Sequence, residues 1–401
     1  MRKVILFTLL FFIALNVNAI KRPKKIASIP FEMVGSYVVI KVKINDSSPL
    51  KFILDSGIRN TIITELLPED NVTLNYSDVK DLLGLGIGSH LEALVSNNNE
   101  LNIGKLNLHP ITVHVLQEDI FNLSKHTGAK INGLMGIDFF KDFIIEINYI
   151  SHRINFYPTD SFIQPKDYEV IPIVIENQKM FVELNVVEAD RVQKKVKMLI
   201  DTGAELNAWF QTSKDESLKL PLNTIRSSIG QGLNGEIIGN LGRIPQIYFG
   251  RFCINNPIVS FPDSSSISSI IKNSNRDGTI GSQLLMRFNY FIDYHNKLFY
   301  FKPNRHFKSQ FKYNIAGIEI SQILPFVPQT EVWKVWENSP AAIAGLRVGD
   351  QLIEVNGINC YQMGISELKA MFETSTKHSM KLIVNREGKE IVLEIEMKSI
   401  L

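Results

Sequence analysis

The chain contains an internal repeat, and this feature limits its possible folds more than any other. The hexapeptide Phe52-Ile53-Leu54-Asp55-Ser56-Gly57 resembles Met198-Leu199-Ile200-Asp201-Thr202-Gly203, and the two aspartates stand 146 residues apart. Three further segments recur with almost the same spacing. They pair Gly84-Leu85-Gly86 with Gly230-Gln231-Gly232, residues 132–136 with 277–281, and residues 143–149 with 288–294. Four matches in the same order indicate a duplicated lobe.

The repeat divides the chain into regions. We place the first lobe at residues 28–160, the second at 165–305, and a third region without a copy at 310–401. Both lobes contain β-branched runs with partial alternation, such as 37–44 and 179–187, separated by Gly, Asn, Pro and Ser. The lobes are therefore predicted to be mainly β.

The composition narrows the class of protein. Of the 401 residues, 45% are hydrophobic and 21% are charged, which is typical of globular proteins and excludes disordered or collagen-like chains. The net charge of +2 argues against a nucleic-acid-binding face. Two cysteines exclude a disulfide scaffold and a Cys-rich zinc site, and the eight histidines are scattered. No metal or other cofactor is predicted.

Residues 1–19 have the pattern of a secretory signal peptide. A basic start, Met1-Arg2-Lys3, precedes an almost wholly apolar run, and Val17-Asn18-Ala19 supplies small residues for cleavage after Ala19. The alternative is an uncleaved anchor helix, although the run is shorter than the roughly 20 residues of a membrane span. We predict an exported protein, periplasmic or extracellular.

The loops Asp55-Ser56-Gly57 and Asp201-Thr202-Gly203 each follow an apolar strand at the matching place of a lobe. In this they resemble the loops of aspartic proteases of the retropepsin and pepsin type. The resemblance implies a bilobal double-β-barrel fold in which Asp55 and Asp201 share a proton, hold one water and hydrolyse peptide bonds. Like charges so close cannot both ionise cheaply, so one carboxyl stays protonated.

The same resemblance assigns roles to the neighbours of the two aspartates. Gly57 and Gly203 allow a tight turn and close backbone approach. Ser56 and Thr202 carry the hydroxyls that, in the family, bond across the axis between the lobes and stiffen both loops. Ile58 departs from the Ala or Ser that is usual after the first glycine.

Two glycine-rich segments fall where the family has flap hairpins that close over substrate. They are represented by Gly84 and Gly86 in the first lobe and by Gly230 and Gly232 in the second. A further departure is Asn207, where Ser or Thr is usual. Residues 230–235 also read G-x-G-x-x-G, but a dinucleotide site requires a following helix, and residues 236–242 are too rich in glycine. Nucleotide binding is therefore not predicted.

The third region has a different pattern. Ser339-Pro340 begins a short helix that ends at Gly345, and a strand then leads to an Asn356-Gly357 turn. This stretch resembles a PDZ domain, which implies an α+β fold that adds a peptide as an extra strand and holds its terminal carboxylate on backbone N–H groups. The resemblance assigns that contact to Ala316, Gly317, Ile318 and Ile320. The alternative is a packing module with an empty groove.

Together these patterns predict an exported aspartic endopeptidase with a PDZ domain that binds or positions polypeptide. Both acidic loops belong to one chain, so a monomer should be catalytically competent. The predicted partners are a polypeptide substrate and a peptide or protein ligand of the PDZ domain, with no nucleic acid and no nucleotide. Two alternatives remain open: a non-catalytic, protease-like peptide-binding protein, and an envelope scaffold that acts through the PDZ domain.

Overall fold

The computed structural model describes residues 24–82, 91–212, 218–232, 235–267, 274–325, 327–373 and 378–401. The predicted signal peptide and the first-lobe flap residues Gly84 and Gly86 lie outside these ranges. Within them, no helix combines the length and the apolar character that crossing a membrane requires.

The described part of the chain is built mainly from β-strands. The first lobe contains β1 (Ala27–Pro30), β2 (Glu32–Val34), β3 (Tyr37–Ile44), β4 (Leu50–Leu54), β5 (Thr61–Ile63), β6 (Tyr76–Leu82), β7 (Leu91–Ile103), β8 (Leu106–Leu116), α1 (Leu123–Thr127), β9 (Gly133–Met135), β10 (Ile144–Asn148) and β11 (Arg153–Tyr157). The second contains β12 (Glu169–Glu176), β13 (Lys179–Val187), β14 (Gln193–Ile200), β15 (Ala208–Phe210), β16 (Thr224–Gly232), β17 (Gly235–Arg243), β18 (Gln246–Phe249), β19 (Phe252–Asn255), β20 (Ile258–Pro262), β21 (Gly278–Ile280), α2 (Ser282–Leu285), β22 (Phe288–Asp293) and β23 (Leu298–Pro303).

The third region has its own strands and the longest described helix. Its elements are β24 (Ile318–Gln322), β25 (Thr330–Val335), α3 (Pro340–Ile343), β26 (Gln351–Val355), β27 (Ile358–Asn359), α4 (Ile365–Glu373), β28 (Ser379–Arg386) and β29 (Lys389–Glu396). Short 3-10 helices occur at Pro68–Asp70, Ile137–Phe140, Ser264–Ser266 and Cys360–Gln362.

The first lobe forms a closed barrel. Its strand order is β2-β3-β4-β9-β5-β8-β7-β6, and an additional pairing of β3 with β7 closes the ring. The alternation along the second half of β3 shows which face of the sheet meets the core. Ile40, Val42 and Ile44 point inward and are buried, while Lys41 and Lys43 between them are exposed.

The second lobe repeats this barrel with two interruptions. Its order is β13-β14-β21-β15-β20-β17-β16, and β18 pairs with β13 at the position where β7 pairs with β3. Pro245 separates β17 from β18, and Pro257 separates β19 from β20. The two long strands of the first lobe, β7 and β8, therefore correspond to four shorter strands in the second.

A sheet shared by both lobes joins the barrels. Its order is β1-β11-β10-β22-β23-β12. Strands β1, β11 and β10 of the first lobe correspond to β12, β23 and β22 of the second, so the sheet is symmetrical about its centre. At its centre β10 pairs antiparallel with β22, with Ile145 opposite Ile292. A pseudo-twofold axis therefore passes between these two strands, and one continuous apolar core extends through both lobes. The prediction of a mainly β, bilobal fold is confirmed.

The third region packs around a core of its own. Its sheet has the order β24-β25-β26-β28-β29, with β27 paired to β26, and the buried apolar residues lie between this sheet and α3 and α4. Ser339 caps α3 as the sequence predicts, because its Oγ accepts from the Ala342 N–H at 3.2 Å. The prediction of an α+β third region is confirmed.

A substitution of Gly133 tests the packing of the first barrel. It lies in β9 between β4 and β5, and a Cβ at this position would overlap the carbonyl oxygen of Ile62. We expect Gly133→Ala to lower the free energy of unfolding by about 3 kcal/mol, measured by urea unfolding. The matched control is Gly364→Ala, where the nearest atom is 3.9 Å from the new Cβ. Equal unfolding midpoints for the two variants would contradict the close approach.

Candidate active site

Each aspartate is positioned by the same local arrangement. Strand β4 pairs in parallel with β9, and β14 pairs in parallel with β21. The Asp55 N–H donates to the Met135 carbonyl at 2.9 Å, and the Asp201 N–H donates to the Ile280 carbonyl at 3.0 Å. The repeated segments 132–136 and 277–281 therefore lie directly behind the two acidic loops and hold their backbones.

Four buried hydrogen bonds connect the two acidic loops. The Ser56 N–H donates to Thr202 Oγ1 at 3.0 Å, and the Thr202 N–H donates to Ser56 Oγ at 3.0 Å. Each hydroxyl then donates to a carbonyl of the opposite lobe, Thr202 to Leu54 at 2.6 Å and Ser56 to Ile200 at 2.8 Å. These four bonds pair the N–H and hydroxyl groups of Ser56 and Thr202 across the axis. They therefore fix the position of one loop relative to the other.

The two glycines allow the carboxylates to face each other. The Gly57 N–H donates to Asp55 Oδ1 at 2.8 Å, and the Gly203 N–H donates to Asp201 Oδ1 at 3.1 Å. A Cβ on Gly57 would overlap the Asp201 carboxylate, and a Cβ on Gly203 would overlap that of Asp55. The structure thus brings together all six residues that the sequence assigns to the acidic loops.

The environment of the pair favours a retained proton. Burial, followed by the charge of Asp201, raises the pKa of Asp55 well above its ordinary value. Burial also raises the pKa of Asp201, while the nearby cations Lys179 and Arg276 oppose that shift. The proton belongs to the pair rather than to either carboxyl. Such a pair contains one acid and one base over the same pH range.

The pair lies in a cavity of about 960 Å³ that both lobes and the third region line. Gly230 and Gly232 are in β16, which forms a hairpin with β17, and both residues line the cavity. The described residues of the G-x-G-x-x-G segment, 230–232 and 235, therefore lie in paired antiparallel strands, and no helix follows them. Ile58 and Asn207 also line the cavity.

Two residues that the sequence analysis did not assign to the site flank the carboxylates symmetrically. Val39 pairs with Ile53 and Phe181 pairs with Leu199, each of which lies two residues before an aspartate. Tyr37 and Lys179, at the starts of β3 and β13, are therefore equivalent positions. Both line the cavity and interact electrostatically with Asp55 and Asp201. Their equivalence depends on strand register, which the repeat offset alone does not give.

Among the described residues, no group of three or more His, Cys, Asp or Glu side chains is arranged to hold a metal ion. The absence of a metal and of any other cofactor stays a prediction.

The loop of the third region that is predicted to hold a terminal carboxylate already has its N–H groups paired. Gly317 and Ile318 donate to Asn314 Oδ1 at 2.9 and 3.3 Å. Ile315 and Ala316 both donate to the Phe372 carbonyl, at 2.9 and 3.3 Å. A ligand carboxylate would have to displace the Asn314 side chain. The sequence did not predict this bond.

Helix α1 of the first lobe covers part of the groove between β24 and α4. Lys369 Nζ donates to the His126 carbonyl at 2.8 Å, and the His126 ring lies 4.9 Å from that of Trp333. Gly128 lies so close to Ile365 that a Cβ would come within 2.8 Å of its Cγ2. The rest of the groove opens into the cavity, which Ile318 and Ile320 line.

The third region also contacts the second-lobe hairpin. Lys334 in β25 forms an ion pair with Glu236 in β17, close to the hairpin end that carries Gly230 and Gly232. The third region therefore contacts the first lobe through α1 and the second lobe through this hairpin.

The variant Asp55→Asn tests the electrostatics of the carboxyl pair and requires no assumption about catalysis. Folding raises the pKa of Asp55, so its contribution to stability is complete below the unfolded value of about 3.9 and is lost as the pH rises through the folded value. We expect Asp55→Asn to melt at a higher temperature than the parent at pH 8, with the difference disappearing near pH 3.5.

The control variant for that measurement is Asp190→Asn. Lys219 donates to Asp190 at 2.8 Å and lowers the pKa of this exposed carboxylate, so the expected change at pH 8 has the opposite sign. A lower melting temperature for Asp55→Asn at pH 8 would contradict the raised pKa of Asp55.

Comparisons with known proteins agree with this architecture. Residues 40–139 and 187–284 match the family model described as aspartyl protease, and residues 332–386 match the model described as PDZ domain. A comparison with curated proteins finds no match. Among solved structures, the chain is similar to the aspartic proteinase from Irpex lacteus, with 13% sequence identity, a TM-score of 0.41, and coverage of 71% of this chain and 98% of that one. A likeness at this level supports no conclusion about activity. The chain combines an aspartyl-protease domain, made of two duplicated lobes, with a carboxy-terminal PDZ domain.

Proposed function

We propose that this protein is an aspartic endopeptidase that hydrolyses polypeptides with a water held between Asp55 and Asp201. The observation that carries the proposal is the pair of buried carboxylates, which line a large cavity and face each other on loops joined by four hydrogen bonds. Two buried carboxyl groups with only a structural role would destabilise the folded state, because desolvation opposes the ionisation of both.

The chemistry follows from the shared proton. The ionised carboxyl takes a proton from the water as that water attacks the scissile carbonyl carbon, and the protonated carboxyl donates to the carbonyl oxygen. The Gly57 and Gly203 N–H groups, each bonded to its own aspartate, keep one oxygen of each carboxyl in place. Preorganisation of this kind avoids rearrangement during the reaction.

We further propose that the protein acts outside the cytoplasm and as a monomer. Export is supported by the basic, apolar and small-residue pattern of residues 1–19. Monomeric competence is supported by the origin of both aspartates in one chain, since no second subunit is needed to complete the pair.

The PDZ domain is proposed to position polypeptide as a wall of the cavity rather than to capture chain ends. Ile318 and Ile320 of β24 line the same cavity as the carboxylates. Asn314 engages the loop N–H groups that a terminal carboxylate would use, and α1 covers part of the groove. A segment in the middle of a substrate can lie along this wall without a terminal carboxylate.

The catalytic proposal is tested by an unbiased peptide-library digest across acid to neutral pH. We expect Asp55→Ala and Asp201→Ala each to reduce cleavage by roughly 10²- to 10⁴-fold or more, because each removes a proton-transfer group. A chelator should leave the rate unchanged. Asp190→Ala, an exposed carboxylate in the second lobe, should cleave at the parental rate.

Cleavage that survives both substitutions, or that a chelator abolishes, would disprove the aspartic mechanism. No cleavage at any pH, with peptide binding retained, would instead favour the non-catalytic peptide-binding protein. An envelope scaffold would lose partner binding when residues 310–401 are deleted and would not depend on Asp55 or Asp201.

The proposal for the PDZ domain predicts that the affinity for a peptide does not depend on whether its carboxyl terminus is free or amidated. We expect a fluorescent peptide with a free carboxyl terminus and its amide to bind the whole protein with equal affinity, measured by polarisation with the Asp55→Asn variant. The physical reason is that Asn314 Oδ1 already accepts from Gly317 and Ile318. Tenfold tighter binding of the free acid that persists when Lys179 is also replaced by Met would contradict this. The control is Asn314→Leu, which frees the Gly317 and Ile318 N–H groups and should bind the free acid more tightly than the amide.

A further inference from the structure

Equivalent positions beside the two aspartates differ in charge although duplicated lobes supply them. Equivalent positions follow from matching hydrogen bonds. The Lys51 N–H donates to Asn132 Oδ1 at 2.9 Å, and the Lys197 N–H donates to Asp277 Oδ2 at 2.7 Å. Asn132 and Asp277 are therefore structural equivalents, and the residue before each, Ile131 and Arg276, is an equivalent pair.

Strand register supplies two more pairs. Ile62 lies opposite Leu134 in the first lobe, and Trp209 lies opposite Thr279 in the second. The first lobe thus presents three apolar residues at positions where the second has an aromatic residue, a cation and a hydroxyl. Ile62 and Leu134 line one side of the cavity, and Trp209 and Arg276 line the other.

Lys179 adds a second positive charge to the second-lobe side. It stands where the first lobe has Tyr37, lines the cavity, and interacts electrostatically with both carboxylates. Arg276 stacks over Trp209, with Cζ 5.0 Å from the ring centroid, which holds the guanidinium against the wall. Lys179 and Arg276 are close enough to repel each other, and burial penalises both charges.

We infer that the second-lobe side of the cavity binds a carboxylate of the substrate, between Lys179 and Arg276. The inference rests on the proposed peptidase and names its substrate class, namely polypeptides with an acidic group near the scissile bond and an apolar side chain on the opposite side. An anion between two like charges reduces their repulsion, and charge-assisted hydrogen bonds in a partly dry site are stronger than neutral ones.

Two sources could supply the carboxylate, an Asp or Glu side chain or the carboxyl terminus of the chain. The experiment uses matched peptides, found by library digest, that carry Glu, Gln or Lys next to the scissile bond, each with a free or an amidated terminus. We expect kcat/KM to be at least about tenfold higher for Glu than for Gln if a side chain is bound. A preference for the free over the amidated terminus would identify the terminal carboxylate.

Variants of Lys179 distinguish binding of the substrate carboxylate from an effect on the pKa values of Asp55 and Asp201. Lys179→Met should abolish the Glu-over-Gln preference, Lys179→Glu should favour Lys, and Lys179→Arg should retain the preference for Glu. The control is Lys195→Met, which removes an exposed lysine paired with Glu183 and should keep the parental preference. If Lys179 acted only on the pKa of the carboxylates, Lys179→Met would change all peptides by the same factor.

Equilibrium binding to Asp55→Asn distinguishes failure of this inference from failure of the proposed peptidase. Tighter binding of Glu than Gln peptides, lost in the Lys179→Met double variant, supports the carboxylate site even if the parent protein never cleaves. Equal cleavage and equal binding of Glu and Gln peptides, together with no effect of the terminus, would overturn the inference.

Discussion

The structure depends on the hydrogen-bonded contact between the loops that carry Ser56 and Thr202. Two carboxyl groups buried against each other repel when ionised and lose hydration, so they would separate unless the backbone held them. The hydroxyls bond to the N–H and carbonyl groups of the opposite loop, and both loops are supported from behind by parallel strands. The relative position of the lobes, and with it the cavity, is set at this contact.

Duplication explains the geometry of the site, and divergence explains its chemistry. The acidic loops remain equivalent because the cross-axis bonds require the same backbone from each side. The positions around them are free of that requirement, and they differ: Tyr37 corresponds to Lys179, and Ile131 corresponds to Arg276. A symmetrical frame thus surrounds the carboxylates with unequal side chains, and the second lobe adds the cations Lys179 and Arg276 to the cavity.

The PDZ domain is part of the same cavity. Residues of its β24 and α4 line the cavity that holds the carboxylates, α1 of the first lobe covers one part of its groove, and Lys334 pairs with the second-lobe hairpin. The side chain of Asn314 satisfies the N–H groups of its ligand loop. These contacts link the domain to both lobes, and a free docking module would need neither of them.

The sequence by itself determined the acidic loops, the glycines beside them, the β character of the lobes and the capped helix at Ser339. Each of these depends on residues within a few positions of one another, or on a repeat offset that can be read along the chain. Only the tertiary structure decided which residues face the carboxylates, how Asn314 is engaged, and where the PDZ domain lies. Lys179 and Arg276 are nearly a hundred positions apart in the sequence, and they meet because β13 and β21 pair on either side of β14. Contacts of that kind depend on strand register and domain packing, which local patterns do not encode.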